Sequence, residues 1–166
     1  MADHRPGEPS KRLIDRMGRT RWFARIGPKV IPKFDRAVHW LTRGKVIPSA
    51  LYVPALLLTA TGRKSGLPRT VPLACLPHDG SLVVVASNFG REHHPAWSEN
   101  LLANPEAIVE FRHQKFPVNA RLADAAEKDA LWPRILKVWP NFDTYAERSG
   151  RDLRVFVLER TGPPAG

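Results

Sequence analysis

From Pro48 onward the apolar positions come in short runs, broken by turn residues at intervals of about ten residues, the spacing of consecutive β-strands. Ala55 to Thr61 is apolar almost throughout, as in a strand buried on both faces. Gly62 to Pro68 reads as a turn, and Arg69 to Leu76 returns as a second strand. His78-Asp79-Gly80 supplies a hairpin turn of the Asp-Gly kind, with Ser81 to Ser87 as the third strand. Pro95 opens a short helix that Asn104-Pro105 closes. Ala107 to Phe111 and Lys115 to Leu122 make two more strands around Arg112-His113-Gln114. Asp124 caps a helix running from Ala125 toward Val138, in which Pro133 marks a kink or a new start. A helical turn or two over Asn141 to Arg148 and a last strand from Arg154 to Glu159 complete the pattern. Six strands, mostly hairpin-linked, predict a mainly β (α+β) fold, a small antiparallel barrel with helices packed outside it.

The pattern before Pro48 has a different period. Residues 1–10 read as a disordered lead-in. Leu13, Ile14, Met17, Trp22, Phe23 and Ile26 then interleave with Lys11, Arg12, Arg16, Arg19, Arg21 and Arg25. Phe34, Ala37, Val38 and Leu41 recur at helical spacing beside Lys33, Arg36 and Arg43. Two short basic amphipathic helices fit, broken near Gly27-Pro28 and Pro32. The chain thus divides into a basic, partly disordered extension over 1–45 and a barrel domain over 46–166.

Charge follows the same division. The 166 residues hold 26 Lys and Arg against 16 Asp and Glu, which points to an anionic partner. Residues 1–45 contribute 12 and 4 of these, so the remainder, with 14 and 12, is nearly neutral. A nearly neutral barrel with no RRM-type aromatic motif argues against nucleic acid. The basic helices can cap the barrel, or lie through residues 11–45 on an anionic membrane surface. The first residues lack the apolar core of a signal peptide, and the run Ala50 to Leu58 is far short of the ~18–20 residues of a membrane span. The single cysteine, Cys75, leaves no internal disulfide framework and weakens any Cys-based zinc site. A cytoplasmic address, peripheral to the inner membrane face if the helices meet lipid, is the expectation.

The candidate chemistry is concentrated in one turn. Gly62-Arg63-Lys64-Ser65-Gly66, with Arg69 close behind, combines glycines, exposed backbone N–H groups, a hydroxyl and three cations. That composition suits a phosphate or carboxylate, although the spacing is not that of a Walker A loop. His93-His94 has no ligand at metal-binding spacing and reads as loop, while Cys75 lies among apolar residues as a buried, inert thiol. Neither Gly-x-Ser-x-Gly nor Gly-x-Gly-x-x-Gly occurs. Trp132, Trp139, Phe142 and Tyr145 form a late aromatic cluster, either core or a wall over a flat ligand with the Tyr145 hydroxyl as proton donor.

Taken together, Thr59-Ala60-Thr61-Gly62-Arg63-Lys64-Ser65-Gly66-Leu67-Pro68-Arg69, Val83 to Ser87, and His94-Pro95-Ala96-Trp97 with Asn100-Leu101 and Ala103-Asn104-Pro105 resemble the deazaflavin-dependent nitroreductase family. The likeness is to the quinone-reducing branch of these oxidoreductases and covers about Pro48 to Glu159. It implies a split β-barrel that binds coenzyme F420, a phosphorylated 8-hydroxy-5-deazaflavin. By the same matching, Arg63, Lys64, Ser65, Gly66 and Arg69 hold the phosphate, and Val85, Ala86 and Ser87 line the ring. Pro95, Trp97 and Asn100 close the other side. Ser87 lies near the acceptor, and Trp139, Phe142 and Tyr145 wall the substrate pocket together with Ala74.

The resemblance further implies hydride transfer from reduced F420 to a quinone-like or other electron-poor planar acceptor, with Tyr145 or solvent supplying the proton. Where the nitroimidazole-reducing member has tyrosines, this chain has Trp139, Phe142 and Ala74, and Asn88 replaces a lysine. Fewer hydroxyls in the pocket put nitro reduction in doubt more than quinone reduction. FMN in the same cradle, or a non-catalytic F420 carrier, remain the alternatives, and monomer and homodimer are both open. The family implies an actinobacterial-type cytoplasm or inner membrane face.

Overall fold

The computed structural model describes residues 53–164. The two helices expected over residues 11–45, the boundary at residue 45 and the expected lipid contact lie outside the described residues. In chain order the elements are β1 (Ala55–Thr61), β2 (Pro68–His78), β3 (Ser81–Val85), a 3-10 turn (Asn88–Gly90), α1 (Ala96–Ala103), β4 (Glu106–Phe111), β5 (Gln114–Leu122), α2 (Ala125–Val138), α3 (Asn141–Ser149) and β6 (Val155–Arg160). The strands close into a barrel in the order β1-β2-β3-β6-β5-β4, every pairing antiparallel. Each described strand pairs on both sides along part of its length, which limits the edge open to another chain.

The alternation of side chains builds two cores from one sheet. Leu82 and Val84 of β3 point into the barrel, where they join Leu56 and Leu58 of β1, Val109, Phe116 and Phe156. Val83 and Val85 point outward with Val155 and Val157, under Leu131 and Ile135 of α2 and Phe142 and Tyr145 of α3. A strand covered on both faces has no polar side to show, hence the unbroken Leu-Val-Val-Val. Each such side chain contributes roughly 1.5–3 kcal/mol by burial. Trp97 and Leu101 of α1 reach into the inner core, and the Trp97 ring packs on Phe156 at 5.6 Å between centroids.

The strands fall within a residue or two of the pattern, with one informative difference. The third stops at Val85, short of the expected Ser87, because Asn88, Phe89 and Gly90 all take left-handed backbone, φ 47°, 55° and 74°, and turn the chain away. Pro133 neither breaks nor restarts its helix: α2 runs unbroken from Ala125 to Val138. Asp124 caps it, its carboxylate accepting the Glu127 N–H at 2.8 Å. Arg121 pins it to the barrel with two bonds to Glu127 (2.6 and 2.9 Å) and one to Glu159 (2.6 Å). The Trp132 indole N–H donates to Asp143 at 2.8 Å and so fixes α3 against α2.

Candidate active site

The basic turn is the tip of the β1–β2 hairpin. Gly62 N–H donates to the Leu67 carbonyl at 2.8 Å and Gly66 N–H to the Gly62 carbonyl at 2.7 Å, which folds Gly62 to Leu67 into a tight loop. A Cβ placed on Gly62 would lie 2.7 Å from Ser65 Oγ, 3.1 Å from the Leu67 oxygen and 3.4 Å from Arg69 Cγ, so Ser65 and Arg69 converge over this glycine. Arg63 N–H donates to Asn100 Oδ1 of α1 at 3.0 Å. Arg63, Lys64 and Arg69 are exposed, and none is ion-paired with a described residue. The N–H groups of Lys64 and Ser65 have no acceptor among the described residues. Three cations and two uncommitted amides beside apolar strands are a donor set for a phosphate.

Ser87 ends the strand side of a second group. It is buried, at 9% exposure, and its hydroxyl makes no hydrogen bond to a described residue. Its carbonyl accepts from Gly90 N–H and from Arg151 Nη2, each at 3.0 Å. Arg151 also donates to the Arg91 carbonyl at 3.0 Å and meets His94 Nδ1 at 2.7 Å. Beside it, Arg154 pairs with Glu99 of α1 at 2.6 Å. Burial first, then the Arg151 and Arg154 charges, hold the His94 pKa below that of an ordinary histidine. The hydrogen bond from Arg154 holds the Glu99 carboxyl below the usual range. α1 therefore joins the two groups, with Asn100 on the cationic turn and Glu99 bonded to Arg154.

The other expected site residues fall into two places. Ala74, Val85 and Phe142 line one apolar recess on the outer face of the barrel, together with Cys75, Ile135 and Val138. Ala86 and Trp97 lie in the inner core. Pro95 caps α1 and is half-buried. Trp139, Phe142 and Tyr145 do share a face, in the outer core. Tyr145 is 1% exposed, between Phe142 (6.3 Å, edge-on) and Phe89 (6.1 Å, tilted). Burial pushes the Cys75 thiol up to about 12, which makes it inert as read from the sequence. His93 and His94 form no metal cluster among the described residues.

Sequence reasoning missed Arg151, Arg154, Glu99 and the part played by His94. Arg-Asp-Leu-Arg ahead of a strand looks like solvated charge, and nothing in its spacing reveals that one guanidinium folds back onto residues 60 positions earlier.

A closed antiparallel barrel with a cationic hairpin turn tied to α1 is the fold that carries the sequence motifs. The family model described as F420H(2)-dependent quinone reductase matches residues 35–160. An F420H(2)-dependent quinone reductase of Mycobacterium tuberculosis is 32% identical over 148 residues, 85% of this chain and 97% of that protein. A solved F420-H2 dependent reductase superposes with a TM-score of 0.60 at 34% identity, covering 64% of this chain and 94% of that one. A solved domain-swapped dimer gives 0.62 at 31% identity, covering 76% and 94%. The chain belongs to the F420H(2)-dependent quinone reductase family.

Proposed function

We propose that the protein oxidises reduced F420 and passes the hydride to a quinone-like or other electron-poor planar acceptor. The observation that carries the reading is the Gly62–Leu67 cradle, whose three cations and two backbone amides, without a partner among the described residues, fit the cofactor's phosphate. Arg63, Lys64 and Arg69 neutralise it, Ser65 and Gly66 shape the loop around it, and Asn100 holds the loop to α1. When bound, F420 supplies hydride chemistry.

The chain supplies orientation and a dry surface. Ser87 and Pro95 are proposed to line the ring, over the backbone of Val85 and Ala86 and with the Ala86 and Trp97 side chains in the inner core behind them, and the uncommitted Ser87 hydroxyl to fix the acceptor's polar end. Ala74, Trp139 and Phe142 provide an apolar wall that favours stacking of a quinone over polar grip on a nitro group. Tyr145, sealed under Phe89 and Gly90, is proposed to support that wall from the core, with the proton taken from solvent. FMN carries a phosphate that suits the same cradle, and the family match favours F420.

Two further parts of the reading concern assembly and location. The surplus of positive charge in residues 1–45 supports an approach to an anionic lipid surface from the cytoplasmic side. No helix among the described residues is long and apolar enough to cross a membrane. The domain-swapped neighbour supports a homodimer.

The decisive experiment is a fluorescence titration with F420 in competition with FMN, followed by mixing with reduced F420 and menadione. Micromolar F420 binding, weak competition by FMN and oxidation of the cofactor are expected. Binding without oxidation leaves a carrier, and tighter binding of FMN replaces the cofactor.

A further inference from the structure

Three consecutive residues after Ser87 have left-handed backbone, and two of them, Asn88 and Phe89, are not glycine. Each such residue costs on the order of 1 kcal/mol, and it persists only where its surroundings over-determine it. Several contacts do so here. Asn88 Nδ2 donates to the His93 carbonyl at 2.9 Å, and Arg91 N–H to the Asn88 carbonyl at 3.2 Å. Gly90 sits so close to α3 that a Cβ would be 3.1 Å from Tyr145 Cα.

Three further contacts come from one side chain. Arg151, just past the left-handed Gly150 that ends α3, reaches the start of the segment at the Ser87 carbonyl, its middle at the Arg91 carbonyl and its end at His94. Three different edges of one planar fork are used, which a lysine cannot reproduce. His94 takes part as an acceptor through Nδ1, since the guanidinium can only donate, and the burial that lowers its pKa favours the neutral ring this requires.

We propose that Arg151 is a positioning residue of the reductase: it clamps residues 87–94 in their strained shape and so sets where Ser87 and Pro95 stand toward the acceptor. It touches neither the phosphate cradle nor Ser87 Oγ. A displacement of about 1 Å at such a wall is enough to cost up to a hundredfold in rate. The kinetic half of the inference rests on the F420-dependent reading, whereas the clamp itself does not.

The test compares the full-length protein with Arg151→Met, Arg151→Lys and Arg121→Met, the last removing an arginine that pins α2 on the barrel. Amide exchange of residues 86–95 is expected to quicken at least about tenfold in Arg151→Met while β1, β4 and β5 are unchanged. F420 affinity should change less than kcat/KM, staying within about threefold because the phosphate cradle is on another hairpin and only the ring-facing residues 87 and 95 shift, and kcat/KM for menadione should fall about ten- to hundredfold. Arg151→Lys should recover part of both effects, and it serves alone if the methionine variant does not fold. Arg121→Met should lower Tm without changing kcat/KM per folded molecule. Unchanged exchange in residues 86–95, or losses that track folded fraction as in Arg121→Met, would overturn the inference. A wild-type protein that fails to oxidise reduced F420 sinks the functional reading instead, and the exchange comparison still decides whether Arg151 is the clamp.

Discussion

The backbone N–H of Arg63 is held by Asn100 Oδ1 at 3.0 Å, so the turn that carries the cations is tied to α1 and does not swing as a free hairpin tip. Replacing Asn100 with Leu removes the acceptor and leaves the N–H to water, a change of about 1 kcal/mol in the loop's order. F420 affinity should fall about fivefold, with KM for menadione nearly unchanged. Equal affinity of the variant in a fluorescence titration would show that the turn holds its shape without α1.

The two glycines of the turn should respond differently to alanine. Gly66 has φ +68° and open space around it, so Gly66→Ala costs about 1 kcal/mol of backbone strain and shows in Tm. Gly62 has no such strain, but its Cβ would meet Ser65 Oγ at 2.7 Å and a backbone carbonyl at 3.1 Å. Gly62→Ala should therefore force the loop open and weaken F420 binding about tenfold or more, the larger binding loss of the two. The reverse ranking in paired titrations and melts would mean that the loop's shape does not matter to the cofactor.

Much of this was legible before any coordinates. Alternation and turn chemistry placed all six strands, because a chain buried on both faces of β1 and β3 has to be apolar there, and Asp79-Gly80 does adopt the left-handed pair its identity favours (φ 47° and 80°). The cradle was legible because its cations are local in sequence. What was not legible is everything made by distant pairs. The Arg151 to Ser87 bond spans 64 positions, and Asn100 on Arg63 spans 37. Periodicity does not report the depth of Tyr145 either: it places three aromatics on one face without saying that the face is sealed by Phe89 and Gly90.

That depth bears on the proton. Tyr145 is 1% exposed, so its hydroxyl is poorly placed to exchange protons with water during turnover. Tyr145→Phe should keep kcat within about twofold and leave F420 affinity as it is. Its main effect should be on stability, of about 1 kcal/mol or less. A loss of kcat of tenfold or more, with a solvent isotope effect that disappears in the variant, would restore the tyrosine as donor.

The β4–β5 hairpin offers a stability test away from the site. Arg112 and His113 both stand in left-handed backbone, φ 49° and 63°, where a two-residue turn prefers Asn-Gly. His113→Gly relieves one of the two strains, partly offset by the freedom it gives the unfolded chain. Unfolding free energy should rise by about 0.5 kcal/mol in urea titration, with activity unchanged. A decrease would mean that the His113 side chain contributes more than its backbone costs.

The Arg154–Glu99 pair sets a pH dependence with a definite sign. The guanidinium hydrogen bond lowers the Glu99 pKa in the folded protein below its ordinary value of 4.5. A lowered carboxylate pKa contributes stability above the unfolded value, and that contribution is lost as pH falls from about 4.5 through the folded pKa. Both side chains are partly exposed, so solvent screening keeps the contribution small. Arg154→Met should lower the urea midpoint at pH 7, and the gap from wild type should narrow as pH falls below about 4.5 and the Glu99 carboxylate takes up its proton. The same comparison at high salt should narrow the gap at pH 7 as well. A gap that stays the same at both pH values would assign the loss to the packing of the Arg154 stem against α1 and not to its charge.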